Sequence, residues 1–458
     1  MSRFLVGILT SDDIEKLERA ILNVNQPYYN PVGLWADIVV VANSLDPTYA
    51  DKAKEVAERN KCKFIVTESN GTPGQGKQSV LDYFLTTPYD YLVPVDGDDY
   101  LEDFTRICEI VNERECDVLV QTNQETGVGL NIAEDIIPRQ VFEAKEWDMA
   151  TIKSWKRFGK ALRRHNHPVK NGLNRILCLS QEAAGSFRYL THLRGSEDVV
   201  ASAELYSIDK LVKHNTDEFL YVWDYDTNGA WGTFIGNKEE IDNTIAALDA
   251  VYEKHNYIDV NSKSDPKMIV EWAKSAHAAG GPGSDIMWDE DWESKPAQFL
   301  NKLFYQKIYD EENGGFYTLF KKDGKIVSGC GLNRLHDTEY ANIGTRSFTL
   351  PEYRGDTYDF YQWWVKRTYE YILKNYQGYI WCFNKYNKKL FDTNAKINDY
   401  KLADVAPNIT KGRYFIPAKA WPRLCTINYT PQYVVYNDCP GCTGIEIYLQ
   451  SIDSEHNQ

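Results

Sequence analysis

No stretch of this sequence stays apolar long enough to span a membrane, which takes about 20 consecutive apolar residues. Its start lacks the charged, apolar and small-residue regions of a secretion signal; Phe4-Leu-Val-Gly-Ile-Leu9 reads directly as a strand. Basic residues are in deficit, with 51 Lys and Arg against 66 Asp and Glu and a net charge of -15. That excludes a protein that coats nucleic acid through a general positive field, though not one with a local basic groove. The nine cysteines are odd in number and scattered, which argues against a disulfide framework and for reduced thiols of the cytoplasm. Cys439-Pro-Gly-Cys442 is the only CxxC, and no second pair stands near it to close a four-ligand zinc site. A Walker A loop is missing too, because Gly71-Thr-Pro-Gly-Gln-Gly-Lys77 continues with Gln78 and misses the required spacing.

What is present fits a soluble protein of more than one domain. A chain of 458 residues exceeds a single ordinary core, so two or three domains are expected. The hydrophobic fraction of 43% and charged fraction of 26% place it among globular proteins. The 31 Tyr and 12 Trp supply rings that stack on sugars or bases, or that simply fill cores.

The first half alternates strand and helix patterns. Phe4–Leu9, Ile38–Ala42, Lys63–Thr67 and Tyr91–Asp96 read as buried strands. Between them lie a helix with Ile14, Leu17, Ile21 and Leu22 at helical spacing, a charged helix from Thr48 to Asn60, and a helix around Val80, Leu81 and Phe84. Such alternation predicts a parallel sheet, in which ligands bind at the carboxyl ends of the strands. Thr10, Asn43, the glycine-rich loop to Lys77, and Asp96-Gly97-Asp98-Asp99 all fall at those ends. Three carboxylates within four residues offer hard oxygens suited to Mg²⁺ or Mn²⁺. A solvated acidic turn is the competing reading; position at the strand end favours a ligand site. Lys77, at a helix start, would give a point charge to a diphosphate.

Between Asp148 and Glu182 there is no acidic residue, while Lys153, Lys156, Arg157, Lys160, Arg163, Arg164, Lys170 and Arg175 accumulate. The block is either a solvated helix face or a groove for an anionic donor or acceptor. Gly195-Ser-Glu197-Asp198 then opens a helix, where paired acids also serve as capping groups.

Taken in order, residues 3 to about 232 resemble the family-2 type of glycosyltransferase with the GT-A fold. The matching pieces are Thr10, Arg19-Ala-Ile-Leu22, Val39 to Asn43, Asn70-Gly71, the loop to Lys77, the Asp-x-Asp (DXD) motif at Asp96-Gly97-Asp98, Glu197-Asp198 and Leu220 to Tyr225. Asn43 stands where an aspartate is usual and Lys77 where an arginine is usual. The resemblance implies a nucleotide-sugar donor, a UDP-sugar first among them, held by Thr10, Asn43, Gly76, Lys77, Asp96 and Asp98. It implies Mn²⁺ or Mg²⁺ on Asp98 with Asp99, and Asp198 as general base with Glu197 in support. Arg163, Arg164 and Lys170 become candidate acceptor or phosphate contacts. A metal-held leaving group with one base implies a single displacement, hence inversion.

In the second half, Ala278 to Ser284 reads as a linker. A hairpin with an Asp323-Gly324 turn, the strand Ile343–Leu350, Pro351-Glu-Tyr-Arg354-Gly355, and a strand ending at Asn384 follow. Residues of about 297–425 resemble the GNAT acyltransferase fold. Arg354-Gly355 is followed by Asp356 and Asp359, which would repel an acyl-CoA pyrophosphate. Acetyl transfer is therefore expected to be lost and the module to serve acceptor recognition or assembly; a bifunctional glycosyl- and acetyltransferase is the alternative.

The expected architecture is an α/β GT-A nucleotide-sugar-binding domain with a mostly parallel, Rossmann-like sheet over 1–235. A helical connector and linker over 236–285 and a GNAT-like α+β domain over 286–458 complete it. The pairing resembles glycosyltransferases of large tailed phages, which implies the host cytoplasm and, as acceptor, a hydroxymethylated base in DNA. A base in a duplex must be flipped out and stacked to be modified. A protein or glycan acceptor is the competing expectation.

Overall fold

A computed structural model describes residues 2–24, 35–122, 149–165, 175–222, 237–279, 307–334, 340–376 and 378–384, with short strands at 413–415, 432–436 and 447–451. Lys170, residues 280–284 of the expected linker, Cys439 and Cys442 lie outside the described residues. The chain divides into two compact units, Met1–His255 and Asn256–Gln458.

In the first unit the apolar runs become a sheet because both of its faces are covered. Strands β1 (Arg3–Thr10), β2 (Trp35–Ala42), β3 (Lys63–Val66), β4 (Tyr91–Asp96), β6 (Val118–Gln121), β7 (Arg175–Ser180) and β8 (Lys213–Thr216) stand in the order β3-β2-β1-β4-β7-β6-β8. All neighbours pair in parallel except β7, which runs antiparallel to β4 and β6. Alternate residues of one strand point to opposite faces. Phe4, Val6 and Ile8 meet α1 (Ile14–Val24), α2 (Pro47–Arg59) and α4 (Phe104–Arg114), whereas Leu5 and Leu9 share a cluster with α3 (Pro73–Leu85) and the short α6 (Gln181–Ser186). A third cluster joins α5 (Met149–Arg163), α7 (Glu197–Ser207) and α8 (Lys238–Asn256) through Trp155, Val199, Ile241 and Leu248. Outside the sheet, β5 (Tyr100–Leu101) pairs antiparallel with β9 (Tyr221–Val222). The fold is thus the expected α/β class with a mostly parallel sheet.

The glycine-rich stretch is not a loop. Helix α3 starts at Pro73, with Thr72 as N-cap accepting from Gln75 N, so Gly74, Gly76 and Lys77 lie inside its first turns. The glycines serve close packing. A Cβ on Gly74 would lie 2.2 Å from the Leu190 carbonyl oxygen, and one on Gly76 would meet Leu9 Cδ1 at 2.4 Å and Asn43 Nδ2 at 2.8 Å. In the first turn Gly74→Ala gains less than the roughly 1 kcal/mol of helix propensity found at interior positions, while the clash with the Leu190 backbone costs about 1–3 kcal/mol. A lower melting temperature is therefore expected in a thermal-shift assay; an unchanged or raised one would refute the packing argument.

The second unit has a six-stranded sheet in sequential order: β10 (Tyr257–Val260), β11 (Phe316–Lys322), β12 (Lys325–Arg334), β13 (Tyr340–Thr349), β14 (Gly378–Asn384) and β15 (Arg413–Phe415). The hairpin between β11 and β12 turns at Asp323 and Gly324, both at positive φ, as its tight two-residue turn requires. Strands β13 and β14 are parallel and pair only from Tyr340 to Ile343. Helix α9 (Pro266–Ala278) contributes the fully buried Trp272, which packs against the tilted rings of Tyr309 and Tyr317. Helix α10 (Tyr358–Asn375) contributes Phe360 and Trp364 to the core. The stretch 236–285, expected as a connector, is divided between the units. Helix α8 buries Ile241 and Leu248 in the first unit, while β10 is the edge strand of the second unit's sheet.

Candidate functional site

Strands β1 and β4 are parallel neighbours, so the turn after β4 lies beside the end of β1. Gly97 N donates to the Leu9 carbonyl at 2.6 Å, and a Cβ there would meet that oxygen at 2.7 Å. Strand β7 runs the other way, so its first residue, Arg175, is delivered to the edge where β4 ends. Arg175 Nη1 lies 2.8 Å from Asp96 Oδ2 and 3.4 Å from Asp198 Oδ2. Its Nη2 donates to the Tyr221 hydroxyl, and the guanidinium sits 4.2 Å from the centre of the Tyr221 ring. Tyr221 Oη in turn accepts from Asp96 N at 3.1 Å and donates to Asp99 Oδ2 at 2.7 Å. Gln121 fixes this tyrosine's backbone by accepting from Leu220 N and Tyr221 N.

From the opposite side, α3 brings Lys77 and the start of α7 brings Glu197 and Asp198. Lys77 Nζ donates to Glu197 Oε1 at 2.8 Å and to Asp198 Oδ1, and stands 3.5 Å from Asp96 Oδ2. Lys77 was expected on a diphosphate; here three carboxylates surround it in a nearly buried pocket.

The charges sort by environment. Burial would raise Asp96 and Asp198, but the adjacent Lys77 and Arg175 outweigh it and hold both carboxyls below the usual range. Burial lowers the Lys77 ammonium, yet Asp198, Asp96 and Glu197 more than reverse this and keep it protonated. Glu197 is pushed up, first by burial and then by neighbouring Asp198, despite Lys77; its Oε2 is buried with no hydrogen-bond partner. Asp98 is raised by burial and by Asp96, and no side chain among the described residues donates to its carboxylate. Its backbone carbonyl accepts from Arg19 Nη2 at 2.6 Å. Asp99, expected beside Asp98 as a metal ligand, faces the core instead. It is 1% exposed, bonded to Tyr221, and raised chiefly by burial.

Among the described residues, no three His, Cys, Asp or Glu side chains converge to hold a metal by themselves. Magnesium-type sites need only one or two protein carboxylates when phosphates complete them. Asp98, partly exposed and destabilised as an anion, fits that role; a bound cation would lower it again.

The remaining expected residues divide. Thr10 and Asn43 are buried at the ends of β1 and β2: the Thr10 hydroxyl pairs with that of Tyr49, and Asn43 Nδ2 donates to the Thr72 carbonyl at 2.8 Å. Asn43 Oδ1 is buried without a partner. Gly76 is occupied by Leu9 and Asn43 rather than by an open cradle. Arg164, expected on an acceptor or phosphate, pairs with Asp249 at 3.0 Å and lies over Tyr252, both on α8. Arg157 likewise meets Asp242 at 3.4 Å. Arg157 and Arg164 of the basic block therefore neutralise acidic residues of α8, the helix packed against α5. Arg163 ends α5, and its side chain is outside the description. Arg175 and Tyr221 are the members that sequence reasoning missed. In the sequence Arg175 reads as one more member of the basic block, and the sole signal for it is its place at the start of an apolar run.

No protein-family model matches the chain, and no curated protein matches it. Solved structures similar to parts of it include S. aureus TarS 1-349 in complex with UDP, 15% identical, covering 67% of this chain and 81% of that one, at a TM-score of 0.35. A mannosyltransferase from Pyrobaculum calidifontis in complex with GDP-Man and Mn2+ is 12% identical over 67% of this chain and 84% of that one, at 0.33. An acetyltransferase from Streptococcus agalactiae is 12% identical over 35% of this chain and 96% of that one, at 0.24. Likeness this slight carries no inference about activity. Among the described residues no helix is long and apolar enough to cross a membrane.

Proposed function

We propose that the first unit is a metal-dependent, inverting glycosyltransferase that moves a sugar from a nucleotide-sugar donor to an acceptor hydroxyl. The observation that carries this reading is the convergence of Asp96, Lys77, Arg175 and Asp198 at the carboxyl edge of the parallel sheet, with Asp98 in the turn that follows and within electrostatic reach of Asp96 and Arg175. Ligands of open α/β sheets bind at that edge. Asp98 would hold Mn²⁺ or Mg²⁺, which when bound supplies positive charge to the leaving diphosphate. Lys77 adds a second positive charge. Asp198, ionised and partly exposed, takes the acceptor proton. Asp96 is held by Arg175 for the donor's ribose. Thr10 and Asn43 line the nucleoside end, where the unpartnered Asn43 Oδ1 offers an acceptor for a base N–H, as a UDP-sugar would need.

The acceptor carried by the phage resemblance is a hydroxymethylated DNA base. Pairing of Arg157 and Arg164 with α8 removes part of the basic surface that reading used. A protein or glycan hydroxyl uses the same chemistry. The second unit is proposed as a recognition or assembly module rather than an acetyltransferase. Asp356 and Asp359 stand at the start of α10, where a pyrophosphate would have to bind, and Asp356 already pairs with Lys322.

The test incubates the full chain with UDP- and GDP-sugars, Mn²⁺, and modified DNA, protein or glycan acceptors, read by mass spectrometry. Transfer that is lost on chelation and in Asp98→Ala is expected. Transfer that survives both would overturn the metal assignment, and acetyl-CoA binding by calorimetry would overturn the reading of the second unit.

A further inference from the structure

Lys77 has two claims on it. Its ammonium has three protons; two are donated to Glu197 Oε1 and Asp198 Oδ1, and Asp96 stands on the third side at 3.5 Å. A donor diphosphate at this edge gains Lys77 only by taking it from those carboxylates. The oxygen that Lys77 covers, Asp198 Oδ1, is also one an acceptor hydroxyl must reach. Asp198 can release it. Its other oxygen keeps Arg175 at 3.4 Å, and its side chain is 32% exposed, so water can reach it. Glu197, 4% exposed at its side chain, has no such recourse; its stability there rests on the positive end of α7 and on Lys77.

We propose that Lys77 caps the Asp198 base in the unliganded protein and that the diphosphate of the donor uncaps it, so that donor binding and exposure of the base are one event. This rests on the glycosyltransferase reading above and adds to it a direct coupling, through Lys77, between the diphosphate subsite and the base. It also implies that part of the diphosphate's binding energy is spent in breaking the Lys77 contacts. Weakening those contacts should therefore tighten nucleotide binding even as it removes the base.

The experiment is calorimetric titration of UDP and GDP with Mn²⁺ into the full chain. Asp198→Asn, and as a second variant Glu197→Gln, should bind the nucleoside diphosphate at least about fivefold more tightly than the wild type, a modest coupling between sites. The gain should vanish when either change is made in a Lys77→Met background, as a double-mutant cycle requires for contact-mediated coupling. Glu204→Gln, which removes a charge from the same helix at a residue tied to Lys254 and His255 instead, should give no gain. Unchanged or weaker binding in both Asp198→Asn and Glu197→Gln overturns the cap. An equal gain in the Lys77→Met background or in Glu204→Gln assigns the effect to net charge and also overturns it. A wild type that binds neither nucleotide overturns the cap together with the functional reading, whereas nucleotide binding without the gain removes the cap alone.

Discussion

Asp198→Asn should lower sugar transfer by about a hundred- to ten-thousand-fold, the range typical of a lost general base. The change is isosteric and keeps an oxygen for Lys77. Lys77 also retains Glu197 and Asp96, and Arg175 retains Asp96 and Tyr221. The fold should therefore survive, and the loss should appear in kcat with no rise in the KM for the donor. Nucleotide binding that is preserved or tightened, alongside lost transfer, separates a base from a donor contact. Transfer within tenfold of wild type would move the base to Glu197, whose Glu197→Gln variant would then show the larger loss.

Arg175→Met should destabilise the first unit by about 3–5 kcal/mol, the cost of breaking a buried ion pair from one side. The reason is the number of groups that share this guanidinium. It neutralises Asp96 and Asp198, donates to Tyr221, and lies on the ring that in turn bonds Asp99. Methionine fills the volume but leaves the carboxylates facing one another with Lys77 alone. For a unit of this size that corresponds to a fall in melting temperature of roughly 6–20 °C. Arg175→Lys should recover only part of the loss, since an ammonium cannot reproduce the planar fork that reaches Asp96, Asp198 and Tyr221 together. A shift below about 2 °C for Arg175→Met in a thermal-unfolding assay would show that Arg175 is not the hub of this site.

The two predictions involve residues of very different visibility in the sequence. Asp198 stands in a short acidic motif at a helix start, next to Glu197, and its chemistry shows in its residue type. Arg175 looks like the last member of a basic run. Its function depends on β7 entering the sheet antiparallel, and no local pattern gives a strand's direction. Tyr221 was legible as part of an apolar strand, but its hydroxyl meets Asp99 across 122 positions of sequence. Asp99 shows the reverse error: three aspartates in four residues look alike, and only the turn's geometry sends one of them into the core. Gly74 and Gly76 look in the sequence like a phosphate cradle. Their lack of side chains is real, but Leu190, Leu9 and Asn43 rather than a phosphate occupy the space.

By itself, the sequence determined the alternation of strands and helices in the first half, the hairpin at Asp323-Gly324, and the placing of carboxylates at strand ends. These follow from periodicity and turn chemistry, which act over a few residues. Tertiary structure alone decided which charges meet. Arg157 and Arg164 went to α8, Arg175 to Asp96, and Lys77 to Glu197 and Asp198. Ion pairing depends on distance in space and on the water excluded around it, and neither is written in the spacing of residues along the chain.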